Sequence, residues 1–589
     1  MERATISSIQ SAINEERWEE ADSLISQFKK SEGEEYRADV FAVLEASCYI
    51  HKEEYTKATK CIHDGLTYNL LNYELYFMLG NIKEKQGKFA QALFSYENAA
   101  LYANGDDKLF LEDFLKSFRE RVGQLPGKVA IVLVNYNNLE YTKLCIESIE
   151  RHGIHYPGSY EIIVVDNHSD DGSKEWLEQC PYKYIINDEN RGFPAGCNQG
   201  IQLADRDSDI FLLNNDTIVM PNSIYCLRMG LYENEQIGMT GSVTNYASND
   251  QMINQSYDTL EGYIEYCAAH NVYSTENHEM RIKLVGFAVM LKRKVVDEVG
   301  MLDEAFGLGH YEDDDLSVRC LKAGYRIVLC KDSFIYHYGN RSFCKRKQDD
   351  AQAHHEGIVK NYTYFMNKWG VDLSYYSHIR TEIAAMIKEP REKELRILEI
   401  GCGCGATLLK IKSMYPNAEI FGVELVQAVT DLVKKVINIE CQNIEEEKLT
   451  YPLHSFDYII LGDVLEHLRE PAETLRYLKD YLKENGFVIA SIPNVMNHTV
   501  ILPLLQGHFD YQEAGILDKT HLRFFTLNSI ISLFIGNGFD ISEMCELNNS
   551  ASEENKILIN KIAAISDKIR EKEFYVYQYL LRARLKKND

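Results

Sequence analysis

Side chains able to do chemistry gather in two stretches of the chain. In the first, Asp166 ends the apolar run EIIVVD, and Asn214, Asn215 and Asp216 end DIFLLNND. Further on, Glu312, Asp313, Asp314 and Asp315 stand in succession ahead of LSVRCLKAG. Carboxylates take up protons or hold cations; at a helix start they also complement the helix dipole, and Asp315 is read in that capping role. In the second stretch Glu399 precedes glycines 401, 403 and 405 of GCGCGA, Glu424 ends AEIFGVE, and Asp463, Glu466 and His467 share GDVLEH, with His521 beyond them. The glycines let backbone turn sharply and approach a ligand closely. Alone, the loop also satisfies a dinucleotide fingerprint. Cys402 and Cys404 lack a second pair to complete a tetrahedral metal site and are read as small residues in a tight loop.

The elements that must carry these groups follow from periodicity. VAIVLVNY, EIIVVD and DIFLLNN are continuous apolar runs rich in β-branched residues, as buried parallel strands require, and helical spacing (TKLCIESIE) alternates with them. Polar groups at the C-terminal ends of such strands lie where open α/β sheets bind ligands. LRILEI, AEIFGVE, FDYIILGD and LKENGFVIASIPN repeat the pattern after residue 394. Ahead of residue 126 the chain reads as helices throughout. YFMLGNIKEKQGKFAQALFSYENAA places Tyr76, Leu79 and Tyr96 at large positions and Gly80, Ala92 and Ala99 at small ones, and a 34-residue shift sets Ala46 against Gly80 and Ala58 against Ala92. The expected architecture is therefore multidomain: an all-α helical repeat over 1–125, an α/β domain over 126–372, a linker over 373–393, a second, Rossmann-like α/β domain over 394–545, and a C-terminal helical tail over 546–589.

The first α/β stretch resembles family 2 glycosyltransferases of the GT-A fold, the inverting, rhamnosyltransferase-like type. The matching blocks are VNYNN, VVDNHSDDGS, NRGFPAGCNQGI, LLNNDT, VGFAVMLKRKVVDEVGMLDEAF, YEDDDLSVRCLKAGYRI and IYHYGNRSF, closed by FMNKWG. The resemblance implies a nucleotide-sugar donor (a UDP- or dTDP-sugar) and Mg²⁺ or Mn²⁺ on hard oxygen ligands. Asp216 ends the family's metal motif, whose first position here is Asn214, one charge fewer. His337 is either a further metal or phosphate contact or a histidine packed under the site. Tyr136 and Asn137 match the first nucleotide loop, Asp166 the residue that grips base or ribose, and Asn215 the donor site. Asn190, Arg191 and Gly192 open the block that closes over the donor; Asn198 is read as a structural helix cap. Asp313 matches the base that deprotonates the acceptor hydroxyl, with Glu312 its alternate.

The second α/β stretch resembles class I S-adenosylmethionine-dependent methyltransferases. The order Glu399, Gly401, Gly403, Gly405 matches their cofactor loop, Glu424 their ribose acceptor, and FDYIILGDVLEHLREP their fourth-strand segment; DKTHLRFFT recurs in methyltransferases attached to glycan-building enzymes. Asp463 is expected to line the cofactor or acceptor pocket. His467 and His521 are candidate bases for a sugar hydroxyl, with a satisfied structural role as the alternative for each, and Arg523 is a candidate for orienting the acceptor. The N-terminal segment resembles tetratricopeptide repeats, either a structural cap or an acceptor-docking module.

Bulk properties set the remaining expectations. At 589 residues the chain exceeds one core. A formal net charge of −26 opposes a nucleic-acid partner, since only RARLKK at the C-terminus is basic. No stretch approaches the roughly 20 apolar residues of a membrane span. The acidic opening lacks the pattern of a secretory signal, so the cysteines are expected as reduced thiols and the chain as cytoplasmic. The composite expectation is a bifunctional enzyme of glycan synthesis. It transfers a sugar to a protein or glycan acceptor, such as flagellin docked by the repeats or a surface polysaccharide, and methylates the glycan. The alternative keeps the transferase and makes the methyltransferase-like domain a binding module or chain terminator in lipid-linked polysaccharide synthesis. A non-enzymatic scaffold built on the repeats is opposed by the acidic motifs.

Overall fold

A computed structural model describes residues 5–31, 38–123, 125–152, 156, 158–339, 348–565 and 570–586. The block IYHYGNRSF therefore lies partly outside the described residues. The chain forms two compact units, Met1–Lys368 and Trp369–Asp589.

The first unit opens with seven helices (Ile6–Asn14, Trp18–Ser31, Ala38–His51, Tyr55–Tyr68, Tyr73–Lys85, Phe89–Tyr102 and Gly105–Val122). The expected repeat offset falls on two successive helix pairs, 38–68 and 73–102. Small residues set their spacing: a methyl at Gly80 would lie 2.4 Å from the Tyr96 ring, and one at Gly65 would lie 2.6 Å from the Ala42 methyl. The helix Phe89–Tyr102 is buried from Gln91 to Ala100, because its outer face packs on the sheet domain.

That domain is a nine-stranded sheet: β1 (Val129–Asn135), β2 (Tyr160–Asp166), β3 (Lys183–Ile186), β4 (Asp209–Asn214), β5 (Thr217–Val219), β6 (Ile237–Val243), β7 (His278–Arg281), β8 (Ala288–Leu291) and β9 (Arg326–His337). The order is β3-β2-β1-β4-β8-β6-β9-β5, with β7 paired to β9. β1 to β4 are parallel neighbours, and Asn135 stands opposite Asp166 at their C-terminal ends. The order reverses between β1 and β4, which places the polar strand ends at a switch point.

The second unit has seven strands: β10 (Arg396–Ile400), β11 (Glu419–Glu424), β12 (Asn438–Cys441), β13 (Phe456–Gly462), β14 (Leu482–Pro493), β15 (Phe539–Asn548) and β16 (Val576–Leu585). Their order is β12-β11-β10-β13-β14-β16-β15, parallel except where β16 pairs with β14 and β15. Two expectations are corrected here. Residues 373–393 are not a free linker: the short helices Leu373–Tyr376 and Thr381–Ala384 pack on this unit, with Ile383, Ala384, Met386 and Ile387 buried. The segment 546–589 is not all helical either. A helix, Glu553–Ala563, is followed by β16, whose Val576, Tyr579, Leu581 and Ala583 are fully buried between two strands. β16 carries Gln578, Arg582 and Arg584 among its buried apolar residues, so neither clean alternation nor a continuous apolar run announces a strand in the sequence.

Every described cysteine is unpaired. Among the described residues, no helix is long and apolar enough to cross a membrane.

Candidate active sites

In the first unit the loops after β1, β2 and β4 are tied together by their own polar side chains. Asn135 donates to Asp166 at 2.7 Å, and Ser169 donates to Asp166 from both its amide and its hydroxyl at 2.9 and 2.6 Å. Asp166 is wholly buried, so here it shapes the loop instead of facing open space. Asn215 is likewise turned inward and donates to Asn135 and Thr142. Asn137 adopts a left-handed backbone (φ 53°) and takes the amide of Asp170, while Tyr136 beside it is exposed.

Asp216 and His337 come together. Nε2 of His337 lies 3.2 Å from Oδ1 of Asp216, and Nδ1 lies 3.0 Å from the Tyr246 carbonyl. A carbonyl only accepts, so Nδ1 carries the hydrogen. In a neutral ring Nε2 then points a lone pair at a carboxylate, an arrangement that calls for a proton or a cation between them. Phe287 stacks on His337 with centroids 5.3 Å apart, and the neighbouring Gly286 amide donates to Asp313 at 2.8 Å. One strand entry thus links the two groups.

The acids Glu312 to Asp315 occupy the first turn of the helix Glu312–Ala323 and differ sharply in surroundings. Asp313 is half-buried and accepts from Gly286 and Asp314 amides. Glu312 is buried with one oxygen unpartnered, and burial, then the Asp313 charge, raises its pKa to about 8. Asp314 pairs with Lys283 at 2.8 Å. Asp315 lies in the first helical turn, where a carboxylate complements the dipole, and it also pairs with Arg319 at 2.9 Å and Lys368 at 2.6 Å. Just ahead, His310 and Tyr311 both hold left-handed φ (75° and 73°), a costly backbone for non-glycine residues that clusters at functional sites. Arg191 is exposed, 4.0 Å from Glu304, and Gly192 is needed at φ 86°, where a methyl would meet the Gly307 carbonyl at 2.0 Å. Asn190 takes the Gly192 amide; Asn198 is no helix cap but lies inside the helix Phe193–Leu203, where it exchanges bonds with the Leu302 backbone.

In the second unit Gly401, Gly403 and Gly405 all have positive φ (67°, 55° and 76°), and a methyl on Gly403 would lie 2.7 Å from the Tyr376 carbonyl. Glu424 accepts from the Gly403 and Val426 amides. The two loop cysteines are buried, the Cys404 thiol pushed up to about 12. Asp463, also left-handed (φ 55°), pairs with Arg380 and takes the Ser491 hydroxyl and the Gln578 amide. Sequence reading missed Tyr376, Arg380, Ser491 and Gln578; two lie in the supposed linker and one in the supposed tail. His467 and His521 stack edge to face at 4.7 Å beside Glu466, and burial, with His521 next to it, lowers the His467 pKa. Arg523 is half exposed and donates to the Arg469 carbonyl.

Glu399 is buried with one oxygen unpartnered, and burial raises its pKa to about 8. A carboxyl raised in the folded state loses stability as pH climbs from the unfolded value, near 4.5, through the folded one. Glu399→Gln should therefore gain stability over wild type across pH 4.5 to 8, by up to on the order of 4 kcal/mol. Melting curves of both proteins across this range check it; a pH-independent difference contradicts it.

Comparison with known proteins identifies the two α/β domains. Residues 130–300 match the family described as glycosyl transferase family 2, and residues 373–543 match a methyltransferase domain. An uncharacterized methyltransferase of Schizosaccharomyces pombe is 28% identical over 122 residues, covering 18% of this chain and 44% of that one. A malonyl-[acyl-carrier protein] O-methyltransferase of Bacillus cereus is 25% identical over 218 residues, 33% of this chain and 77% of that one. The chain thus spans less than half of the first of these relatives. A mannosyltransferase from Pyrobaculum calidifontis, solved with GDP-Man and Mn²⁺, aligns at 16% identity and a TM-score of 0.29 over 47% of this chain and 76% of that one.

Proposed function

We propose, for a chain that joins a family 2 glycosyltransferase domain to a class I methyltransferase domain behind a helical repeat, that it builds and methylates a glycan. The first unit transfers a sugar, with inversion, from a UDP- or dTDP-sugar to a hydroxyl of a protein or glycan acceptor. The second methylates that glycan using S-adenosylmethionine. A flagellin-like surface protein or a surface polysaccharide fits the acceptor class.

The carrying observation is the His337–Asp216 pair, two acceptors facing each other at 3.2 Å. Asp216 and His337 would hold Mg²⁺ or Mn²⁺, with Asn214 nearby as a neutral oxygen donor. The ion supplies charge to stabilise the departing diphosphate. Asp313, one hydrogen bond from the residue next to Phe287, takes the acceptor proton. Tyr136, Asn137 and Arg191 are assigned to the donor, and the ordered Asp166–Asn135–Ser169 loop holds its pocket in shape. Asn215 supports that loop.

For the methyl donor, the positive-φ glycine loop offers a cradle no side chain would leave open, and Glu424 and Asp463 stand at the ends of the flanking strands. Glu399 closes the pocket floor. The cofactor supplies an electrophilic methyl group; alignment of the acceptor does the rest.

Sugar transfer should fall at least about 100-fold on chelation or in Asp216→Asn, with Mn²⁺ restoring only wild type. The test is consumption of UDP- and dTDP-sugars followed by mass spectrometry; full chelator-resistant turnover removes the metal from the proposal.

A further inference from the structure

Glu466, His467 and His521 sit apart from the contacts assigned so far. His467 and Glu466 are consecutive on the 3-10 turn Leu465–His467, and His521 comes from a loop whose Leu522 and Arg523 amides both donate to the Glu466 carbonyl, at 2.8 and 3.0 Å. Backbone bonds therefore lock the two segments together. His521 Nδ1 lies 2.9 Å from the Ile516 carbonyl, and His467 Nδ1 lies 3.3 Å from the Thr520 carbonyl. The Thr520 hydroxyl, 3.2 Å from His467 Nδ1, gives its hydrogen to Asp518 and so accepts there as both carbonyls do; both rings therefore carry hydrogen on Nδ1 and leave Nε2 as a lone pair. Glu466 is 1% exposed, and neither of its carboxylate oxygens has a hydrogen-bond partner. One donor atom from each of the three side chains lies within 4.8 Å of the other two.

Each of the three side chains thus offers one ligand atom to a shared space, where a cation would take the place of the acid proton of buried Glu466. A buried, unpartnered carboxylate is expensive unless a cation meets it. Each imidazole is also oriented by an Nδ1–H bond to a backbone carbonyl, the support that metal-binding histidines use. Two imidazoles and one carboxylate favour a transition ion over Mg²⁺ and leave coordination positions open. The turn begins just after Asp463, at the C-terminal end of β13, on the ligand side of the sheet.

We propose that Glu466, His467 and His521 bind one divalent transition-metal ion of the Zn²⁺ or Mn²⁺ class, whose open positions receive the hydroxyl oxygens of the methyl acceptor. Only the acceptor half of this assignment rests on the methyltransferase reading. The two histidines are then ligands, not the proton-abstracting bases that their sequence position suggested.

The full chain, stripped with chelator, is titrated with ZnCl₂ and separately with MnCl₂ against a chromophoric competitor, and bound metal is counted by elemental mass spectrometry. An Asp216→Asn background silences the other ion site. Glu466→Gln and His521→Gln should each lose one equivalent, weakening binding by more than the roughly 10–100-fold that outer partners contribute. S-adenosylmethionine affinity, measured on the same samples, should stay unchanged and reports separately on the methyltransferase reading and on folding. As a measurement free of variants, Zn²⁺ should protect His467 of the otherwise unaltered chain from acylation by diethyl pyrocarbonate. Equal metal content in all three proteins, or an unprotected His467 at saturating Zn²⁺, overturns the site.

Discussion

Asp313→Asn is expected to lower sugar transfer by about 10³-fold while UDP or dTDP binding stays within about twofold of wild type. Asp313 is half-buried at the start of its helix, so its carboxylate remains within reach of an acceptor hydroxyl. Its two oxygens each take one backbone amide, from Gly286 and from Asp314, which leaves lone pairs free to receive a proton. An asparagine keeps the shape but offers only one oxygen, and its amide nitrogen meets a backbone N–H. Glu312 provides the contrast. Its pKa of about 8 keeps it protonated near neutrality, so Glu312→Gln imitates its resting state and should leave turnover within about threefold at pH 7. The two assignments also separate by pH. With Glu312 as base, the wild-type rate would climb as pH rises through about 8, and Glu312→Gln would abolish that climb. Initial rates from pH 6 to 9 for wild type and both variants decide. A dead Glu312→Gln beside an active Asp313→Asn would exchange the roles.

Much of this scaffold is written in apolar runs. VAIVLVN, EIIVVD and DIFLLN each fold as the buried parallel strand that their β-branched content demands, and the glycines at 401, 403 and 405 all take the positive φ that only glycine adopts cheaply. What the sequence hides is direction and distance. Asp166 and Asn215 stand at strand ends where ligand-facing groups are expected, yet both turn inward to bond Asn135. Nothing in a strand-end polar residue tells which way it points. Arg380, Ser491 and Gln578 meet Asp463 from three separate segments, so no local spacing announces them. The strained pair His310–Tyr311 is equally silent, because left-handed backbone at a histidine or tyrosine has no compositional sign. β16 was missed because its burial comes from neighbours that pair with it only after folding.

Arg228→Met is expected to destabilise the first unit by about 2–3 kcal/mol, the cost of taking one of its two guanidinium partners from buried Glu97. Arg228 is 2% exposed and lies 3.1 Å from Glu97, itself 3% exposed, with its guanidinium 3.8 Å above the Phe94 ring. Glu97 and Phe94 belong to the last repeat helix pair and Arg228 to the sheet domain. Around them Gln91 donates to the Met229 carbonyl, Ser95 meets the Tyr225 hydroxyl at 3.1 Å, and Asn98 donates to Asn222. Removing both charges together, as Glu97→Met with Arg228→Met, should recover most of the loss, because no buried carboxylate then remains short of a partner. Arg119, which also reaches Glu97 at 2.6 Å, is exposed enough to return to water. Denaturant unfolding of the single and double variants measures the coupling; equal losses in both would mean that packing, not charge, joins the segments. The result bears on what the repeat is for. A helix buried from Gln91 to Ala100 cannot detach, so truncating the repeat strips cover from Tyr225 and Met229. Away from that buried helix, the repeat carries a groove of about 640 Å³ lined by Trp18, Tyr73, Phe77 and Phe110. The structural role of the repeat thus rests on its last helix pair, whose burial ties it to the sheet domain.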